Sequence, residues 1–161
     1  MTDRSGRSTA RLAAVQALYQ MELTGSGADE AVFEFTEHRF GREAETGTAG
    51  EVDTEFFASL VRGVPEHQGE IDAGIAKVLS AEWRLSRIDS ILRAILRAAA
   101  FELIARKDVP AKVVIDEYVD VSHAFFAGDE PSFVNAALDR LAHRKRAAEF
   151  GETPPEDELE F

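Results

Sequence analysis

A chain of 161 residues is long enough for one ordinary domain with a hydrophobic core of its own. It holds no cysteine, which excludes disulfides, thiolate metal sites and cysteine nucleophiles, and His38, His67, His123 and His143 fall in no metal-ligand spacing such as His-Glu-x-x-His. A formal net charge of −12 works against unspecific attraction to a phosphate backbone.

Residues 1–8 are polar and predict a flexible arm. From Thr9 to Leu23, the residues Leu12, Val15, Leu18, Tyr19 and Leu23 recur at helical spacing until Gly25-Ser26-Gly27 stops the run. A short helix follows around Asp29–Phe40, with Val32, Phe33 and Phe40 as its apolar residues. The stretch from Gly41 to Gly50 is rich in glycine, threonine and glutamate and predicts a mobile loop, extending to residue 51. Asp53 or Thr54 is placed to cap the next helix, whose apolar face takes Phe56, Phe57, Leu60, Val61 and Val64. Pro65 lacks an amide hydrogen and crowds the preceding turn, so this helix ends or kinks there. Ile71, Ile75, Val78 and Leu79 resume the stripe.

The strongest helical pattern spans 88–106, where Ile88, Ile91, Leu92, Ile95, Leu96, Ala99, Leu103 and Ile104 form a wide apolar face without glycine or proline. Asp108-Val109-Pro110 supplies an acidic cap candidate and a proline suited to a first helical turn. The helix after it uses Val114, Tyr118, Val121 and Phe125, and Gly128 breaks it. Asp129-Glu130-Pro131 repeats the start signal for a last helix carrying Phe133, Val134, Ala137, Leu138 and Leu141. No period-two strand appears, and helices joined by short loops predict an all-α bundle. The helical part is expected over 1–147. Residues 148–161 are too charged and too poor in apolar side chains to fold against a core, and predict a flexible acidic tail. No stretch approaches the roughly 18 apolar residues of a membrane span, and the N-terminus lacks the apolar run of a signal peptide, so the expected place is the cytoplasm and not a membrane.

Charge is spread unevenly. Residues 149–161 hold six acids and no base, and residues 22–55 hold ten acids against Arg39 and Arg42. Residues 77–112 carry eight bases against four acids, and Arg140, Arg144, Lys145 and Arg146 form a second basic group. A local basic face on an acidic protein is compatible with this pattern.

Catalytic signatures are missing: there is no Gly-x-Gly-x-x-Gly, no phosphate-loop lysine motif and no Gly-x-Ser-x-Gly. Acidic neighbours such as Asp116 and Glu117 point about 100° apart on a helix, whereas paired catalytic carboxylates must converge on one substrate. The expectation is a protein that is not an enzyme and uses no cofactor or metal. Four recognitional motifs stand out instead. They are Thr9-Ala10-Arg11-Leu12-Ala13-Ala14-Val15-Gln16-Ala17-Leu18-Tyr19-Gln20, preceded by Arg4 and Arg7; Trp83-Arg84-Leu85-Ser86-Arg87-Ile88, followed by Arg93-Ala94-Ile95-Leu96-Arg97 and Phe101-Glu102-Leu103; Asp108-Val109-Pro110-Ala111-Lys112-Val113-Val114-Ile115-Asp116-Glu117; and Phe133-Val134-Asn135-Ala136-Ala137-Leu138-Asp139. In this order and at these intervals they resemble the NusB family of bacterial transcription antitermination proteins, from about Arg4 to His143.

The resemblance implies an all-helical fold of two small helical bundles packed side by side, here about 8–80 and 81–147. It implies pairing with NusE, the small-subunit ribosomal protein that doubles as a transcription factor. The two together would bind the boxA element of nascent RNA, mainly in ribosomal RNA operons, within an antitermination complex on RNA polymerase. The family's arginine-rich N-terminus and Phe-Val-Asn helix lie on the RNA side, which makes Arg4, Arg7, Arg11, Lys112, Phe125, Asp129, Phe133 and Asn135 the RNA-binding candidates. The tyrosine matching Tyr19 is associated with the NusE side, where Glu22 joins it and Asp89 stands in for an acid that many members carry at the position of Leu92.

Arginines at 4, 7 and 11 share one face of any helical continuation, and guanidinium groups bind phosphate bidentately and stack on bases. Phe125 and Phe133 flank the Gly128 loop and either stack on unpaired bases or belong to the core. Asn135 either reads a base or NusE, or satisfies a buried backbone group. Tyr19 offers its hydroxyl to a partner or buries its ring. Trp83 is expected to pack between the two halves, and Arg97 and Glu102 to be structural. Some departures from the family pattern reduce the positive charge: Ser8 and Thr9 in the arm, His123 and Ser132 where lysines are usual. Others are Phe126 for a glycine and Ala136 after Asn135. Each lost cation weakens the phosphate contribution to RNA binding. A second reading is therefore a helical adaptor that binds NusE or polymerase with little RNA binding of its own. A third, a fragment of an RNA cytosine methyltransferase with a similar N-terminal domain, is opposed by the acidic stretch after Arg146 and by the lack of a glycine-rich methyl-donor site or a cysteine.

Overall fold

A computed structural model describes residues 3–40, 52–80 and 83–158, with side chains from residue 6. Among these residues there are seven α-helices and no strand, in keeping with the all-α expectation. The loop predicted over 41–51 lies outside the described residues. The chain divides into two compact units, Met1–Glu66 and His67–Phe161.

In the first unit, α1 runs over Asp3–Thr24. The arm expected over 1–8 is therefore helical from Asp3. Its early turns are tied down, because the Gly6 carbonyl accepts the Asp53 N–H at 3.1 Å and the Arg7 guanidinium stands 3.7 Å from the Asp53 carboxylate. The buried face of α1 is built largely of small residues, Ala10, Ala13, Ala14 and Ala17 with Val15 and Leu18. Gly25 ends it in a left-handed conformation (φ 75°) that favours glycine, its N–H donating to the Met21 carbonyl at 2.8 Å.

Helix α2 (Ala28–Glu34) passes into a π-helical segment, Phe35–Phe40. The wider turn changes which aromatics face inward. Phe35 is fully buried, stacked on Phe57 at 5.5 Å, and Phe40 meets Phe57 edge-on at 5.0 Å. Phe33, expected on the apolar face, is 63% exposed. Helix α3 (Thr54–Glu66) starts where predicted, with Asp53 Oδ1 accepting the Phe56 N–H at 3.0 Å. It packs Phe56, Phe57, Leu60, Val61 and Val64 against α1 and α2, and Pro65 is its last residue but one.

The second unit comprises α4 (Gln68–Val78), α5 (Ser90–Ala105), α6 (Ala111–Phe125) and α7 (Glu130–Lys145). Helix α5 is its centre, packed against the other three with Ile95, Leu96, Ala98, Ala99, Ala100 and Leu103 fully buried. Helix α4 groups here and not with residues 8–80, because it packs on α5 and α7 and because Arg97 of α5 clasps Asp72 through two hydrogen bonds of 2.9 and 3.0 Å.

The capping signals fall differently from expectation. Asp89 caps α5, its Oδ1 accepting the N–H groups of Ile91 (2.8 Å) and Leu92 (3.4 Å). Asp108 does not cap α6; it pairs with Arg106 through two 3.0 Å bonds, and the Ala111 N–H is instead taken at 2.9 Å by Glu149 from beyond α7. Asp129 stands at the start of α7 without a side-chain capping bond.

Residues 147–158 correct the expectation of a loose tail. Two 3-10 turns, Ala147–Phe150 and Glu156–Glu158, accompany a set of ion pairs to the bases that end α7. Glu158, with its side chain 8% exposed, accepts from Arg144 at 3.0 Å and Lys145 at 2.6 Å. Asp157 takes Arg144 at 2.6 Å and Lys77 at 3.0 Å, and the His143 ring stacks on Phe150 at 4.0 Å with Nδ1 2.7 Å from Glu152. The acids that argued against packing are what dock this segment, since cations gather at the C-terminal end of α7 where the helix dipole also favours them. The Glu152 hydrogen bond, with the charges of Glu152 and Asp139, raises the His143 pKa despite burial. Asp157 is held below the ordinary carboxylate range by its bonds to Lys77 and then Arg144. For Glu158, burial pushes upward but the Lys145 bond and the surrounding cations outweigh it, and its pKa is lowered.

Candidate nucleic-acid interface

The predicted RNA-binding residues fall in both units, and each set is bounded by its own neighbours. In the first unit, Arg4 lies in the opening turn of α1, with its side chain outside the described residues. Arg7 is half-buried beside Asp53 and has its guanidinium 4.5 Å from the centre of the Phe56 ring. Arg11, one turn on, is only 2% exposed and has its guanidinium 4.8 Å from the same ring. Spacing did place Arg7 and Arg11 on one face, but that face meets α3. A guanidinium so covered offers no surface to phosphate in this conformation, so Arg11 is corrected from an RNA ligand to a packing residue.

In the second unit the candidates cluster at the α6–α7 junction and the start of α6. Lys112 is exposed in the first turn of α6, without an ion-pair partner among the described residues. Phe125 closes α6 half-buried, and Asp129 is exposed at the head of α7. Phe133 is half-buried in the first turn of α7, and Asn135 is exposed, which removes the reading that it satisfies a buried backbone group.

Trp83 departs furthest from expectation. It is 49% exposed and not interior, with its ring 5.0 Å from that of Phe133 at an interplanar angle of 36°. Arg84 and Arg87 beside it are exposed. The sequence carries a signal for this exposure: the lone tryptophan lies between helical patterns, in a turn segment flanked by arginines.

The second basic group proves to be largely consumed within the fold. Arg146 is buried and bonded to four carbonyls, and Arg144 and Lys145 are neutralised by Asp157 and Glu158. Arg140 donates to the Val78 carbonyl at 3.1 Å. Arg97 and Glu102 are structural as expected: Arg97 bonds Asp72, and the buried Glu102 accepts from the Tyr118 hydroxyl.

On the expected NusE side, Tyr19 is half-buried and Glu22 exposed, three residues apart on α1 and so on one face. Asp89 is exposed at the head of α5, with one oxygen engaged in the cap. Among the described residues no group of three or more histidines and acids is placed to hold a metal ion, and no helix is long and apolar enough to cross a membrane.

A family model described as the NusB family matches residues 8–143. Transcription antitermination protein NusB of Maricaulis maris is 55% identical over 144 residues, covering 89% of this chain and 90% of its own length. T. maritima NusB has a similar fold, with a TM-score of 0.71 at 28% identity over 96% of this chain and 97% of that one. A chain in the crystal structure of antitermination factors NusB and NusE in complex with double-stranded RNA gives a TM-score of 0.68 at 26% identity, over 88% and 98%. Identity above one half through nearly the whole chain joins the four ordered motifs and the all-α fold in a single conclusion: this chain belongs to the NusB family.

Proposed function

We propose that the protein is a transcription antitermination factor that binds boxA-type RNA together with NusE, supporting ribosomal RNA transcription in the cytoplasm as part of an antitermination complex on RNA polymerase. The observation that carries this reading is the 55% identity to a transcription antitermination protein over nearly the full length of both chains. The role is one of binding and not of catalysis, as for the family. The proposed RNA contacts are Arg7 with Arg4 in the first unit, and Lys112, Phe133 and Asn135 with Phe125 and Asp129 at the α6–α7 junction in the second. The proposed NusE contacts are Tyr19, Glu22 and Asp89, whose acids suit a basic partner and a salt-sensitive association.

The adaptor reading keeps a specific support: Arg11 is buried, Arg7 faces Asp53, and the second basic group is occupied within the fold. Binding to boxA-type RNA, measured with and without NusE, separates the two. The antitermination reading expects RNA binding that NusE strengthens, and Tyr19→Asp to weaken the NusE complex in a chain that still melts like its parent. Arg7→Gln should flatten the salt dependence by about 0.7 in slope, one phosphate on a single strand. Absence of RNA binding with NusE present, alongside intact NusE binding, establishes the adaptor instead.

A further inference from the structure

The segment joining α4 to α5 carries a feature that neither the core nor the capping of the second unit uses. Trp83 exposes 49% of its surface, although indole is the largest apolar side chain and is well buried on average in folded proteins. The turn that carries the ring is held by its backbone. The backbone N–H of Trp83 donates to the Ser80 carbonyl at 3.0 Å, and the backbone N–H groups of Arg87 and Ile88 both donate to the Arg84 carbonyl at 2.8 and 3.2 Å. Arg93 of α5 donates to the Leu85 and Ile88 carbonyls at 2.9 and 3.0 Å, pinning the turn to the helix that follows. Phe133 packs against the indole at 5.0 Å, and rings at this tilt and spacing attract one another. An ordered ring with an open face loses little freedom when something stacks on it.

The flanking charges identify what that is. Arg84 and Arg87 are exposed, and neither has an ion pair or side-chain hydrogen bond among the described residues. Most other arginines of this unit are engaged: Arg93, Arg97, Arg106, Arg140, Arg144 and Arg146 all bond carbonyls or carboxylates. In a chain of net charge −12, two unengaged guanidiniums within four residues of an exposed indole are matched to a polyanion with flat aromatic faces.

We propose that Trp83, packed on Phe133 and flanked by Arg84 and Arg87, is a stacking site for an unpaired RNA base, with the two guanidiniums on neighbouring phosphates. The site rests on the RNA-binding reading above and extends it to a segment outside the helix of Phe133. It converts the question of whether Phe133 stacks or packs into a shared role, in which Phe133 supports the ring that stacks.

Trp83 is the only tryptophan of the chain, so its emission reports the site directly. The test titrates boxA-type RNA into the complex with NusE, following emission and, separately, the anisotropy of labelled RNA, with the Trp83→Phe chain as the optical blank. Quenching of Trp83 emission in step with RNA binding is expected. Trp83→Ala should weaken binding about 5- to 150-fold, and Trp83→Phe far less, since phenylalanine still stacks. Arg84→Gln with Arg87→Gln should lower the salt slope by about 1.4, and as exposed changes they leave the fold intact even if Trp83→Ala does not. RNA binding with unchanged emission, and with the alanine and glutamine variants equal to the parent, overturns this site while leaving the RNA reading in place. An emission change complete on NusE addition alone, with RNA affinity unaffected by the variants, assigns the ring to a protein contact and likewise overturns it. No RNA binding by the parent complex removes both readings together.

Discussion

Replacing Arg146 by alanine tests how the second unit is held together. The side chain is 4% exposed and its guanidinium donates to the carbonyls of Leu103 (2.7 Å), Val109 (2.9 Å), Glu102 (3.0 Å) and Arg106 (2.9 Å), and to the Glu149 carboxylate. Those carbonyls belong to the last turn of α5 and the loop into α6, where the backbone supplies few donors: Glu102 and Arg106 accept one backbone N–H each, from Arg106 and Val109. Arginine suits the task because its planar fork spreads five donors, which lysine's single ammonium cannot match. Hydrogen bonds to a charged group are worth about 1.5–3 kcal/mol each, but those in one cluster do not add, and water entering the vacated space recovers part of the loss. Glu149 keeps its bond to the Ala111 N–H and is not stranded as a buried charge. The expected loss is therefore that of breaking one buried ionic cluster, about 3–5 kcal/mol. In a chain of this size each kcal/mol lowers Tm by about 2–4 °C, so Arg146→Ala should melt about 6–20 °C below its parent. Thermal melting followed by circular dichroism reads this directly, with Arg146→Lys expected between the two. An Arg146→Ala protein melting within about 3 °C of the parent would refute the assignment of Arg146 as the clasp on this helix end.

Asp89→Ala should cost about 1 kcal/mol through loss of the α5 cap, and Asp89→Asn, which caps as well, should restore it. If both variants also weaken NusE binding in low salt, the carboxylate charge faces the partner as proposed; unchanged binding removes Asp89 from that surface. Docking of residues 147–158 should be strongest between about pH 4.5 and 6.5. The raised pKa of His143 gives a contribution present below about 6.5 and lost as pH rises through the folded value, whereas the lowered pKa values of Asp157, Glu158 and Glu149 give one present above about 4.5 and lost as pH falls through theirs. Limited proteolysis of this segment across pH is the check, and a flat profile contradicts the ion-pair account.

Helix positions were legible because they rest on local periodicity. The apolar face of 88–106 became the central helix α5, and Asp53, Pro65 and Gly25 marked helix ends as their backbone chemistry requires. What escaped sequence reasoning were partnerships between residues far apart in the chain. Glu149 caps α6 from 38 residues beyond Ala111, while nearby Asp108 is drawn off by Arg106. Phe33 and Phe35 exchanged places because a π-helical turn breaks the 3.6-residue count on which the inward face was assigned. A segment rich in acids lacks the apolar area to fold alone, and composition does not show that the bases receiving residues 147–158 lie on α4 and α7.

Ion pairs within the fold also limit how an acidic protein can meet RNA. A cation binds phosphate strongly only if the fold has not already neutralised it, so the relevant quantity is unengaged positive charge and not the total. The acidic segment 147–158 takes Lys77, Arg144 and Lys145, the end of α5 takes Arg146, and Asp72 takes Arg97. In the second unit Arg84, Arg87, Lys107, Lys112 and Arg140 remain exposed without ion pairs among the described residues, Lys107 and Arg140 bonding only backbone carbonyls. At about 0.7 per phosphate on a single strand, five such cations would give the second unit a salt slope of about 3.5 at most, against a net charge of −12. Stacking on Trp83 and charge brought by a basic partner would add to this share. The proposed RNA binding together with NusE then rests on the cations that the fold leaves without ion pairs.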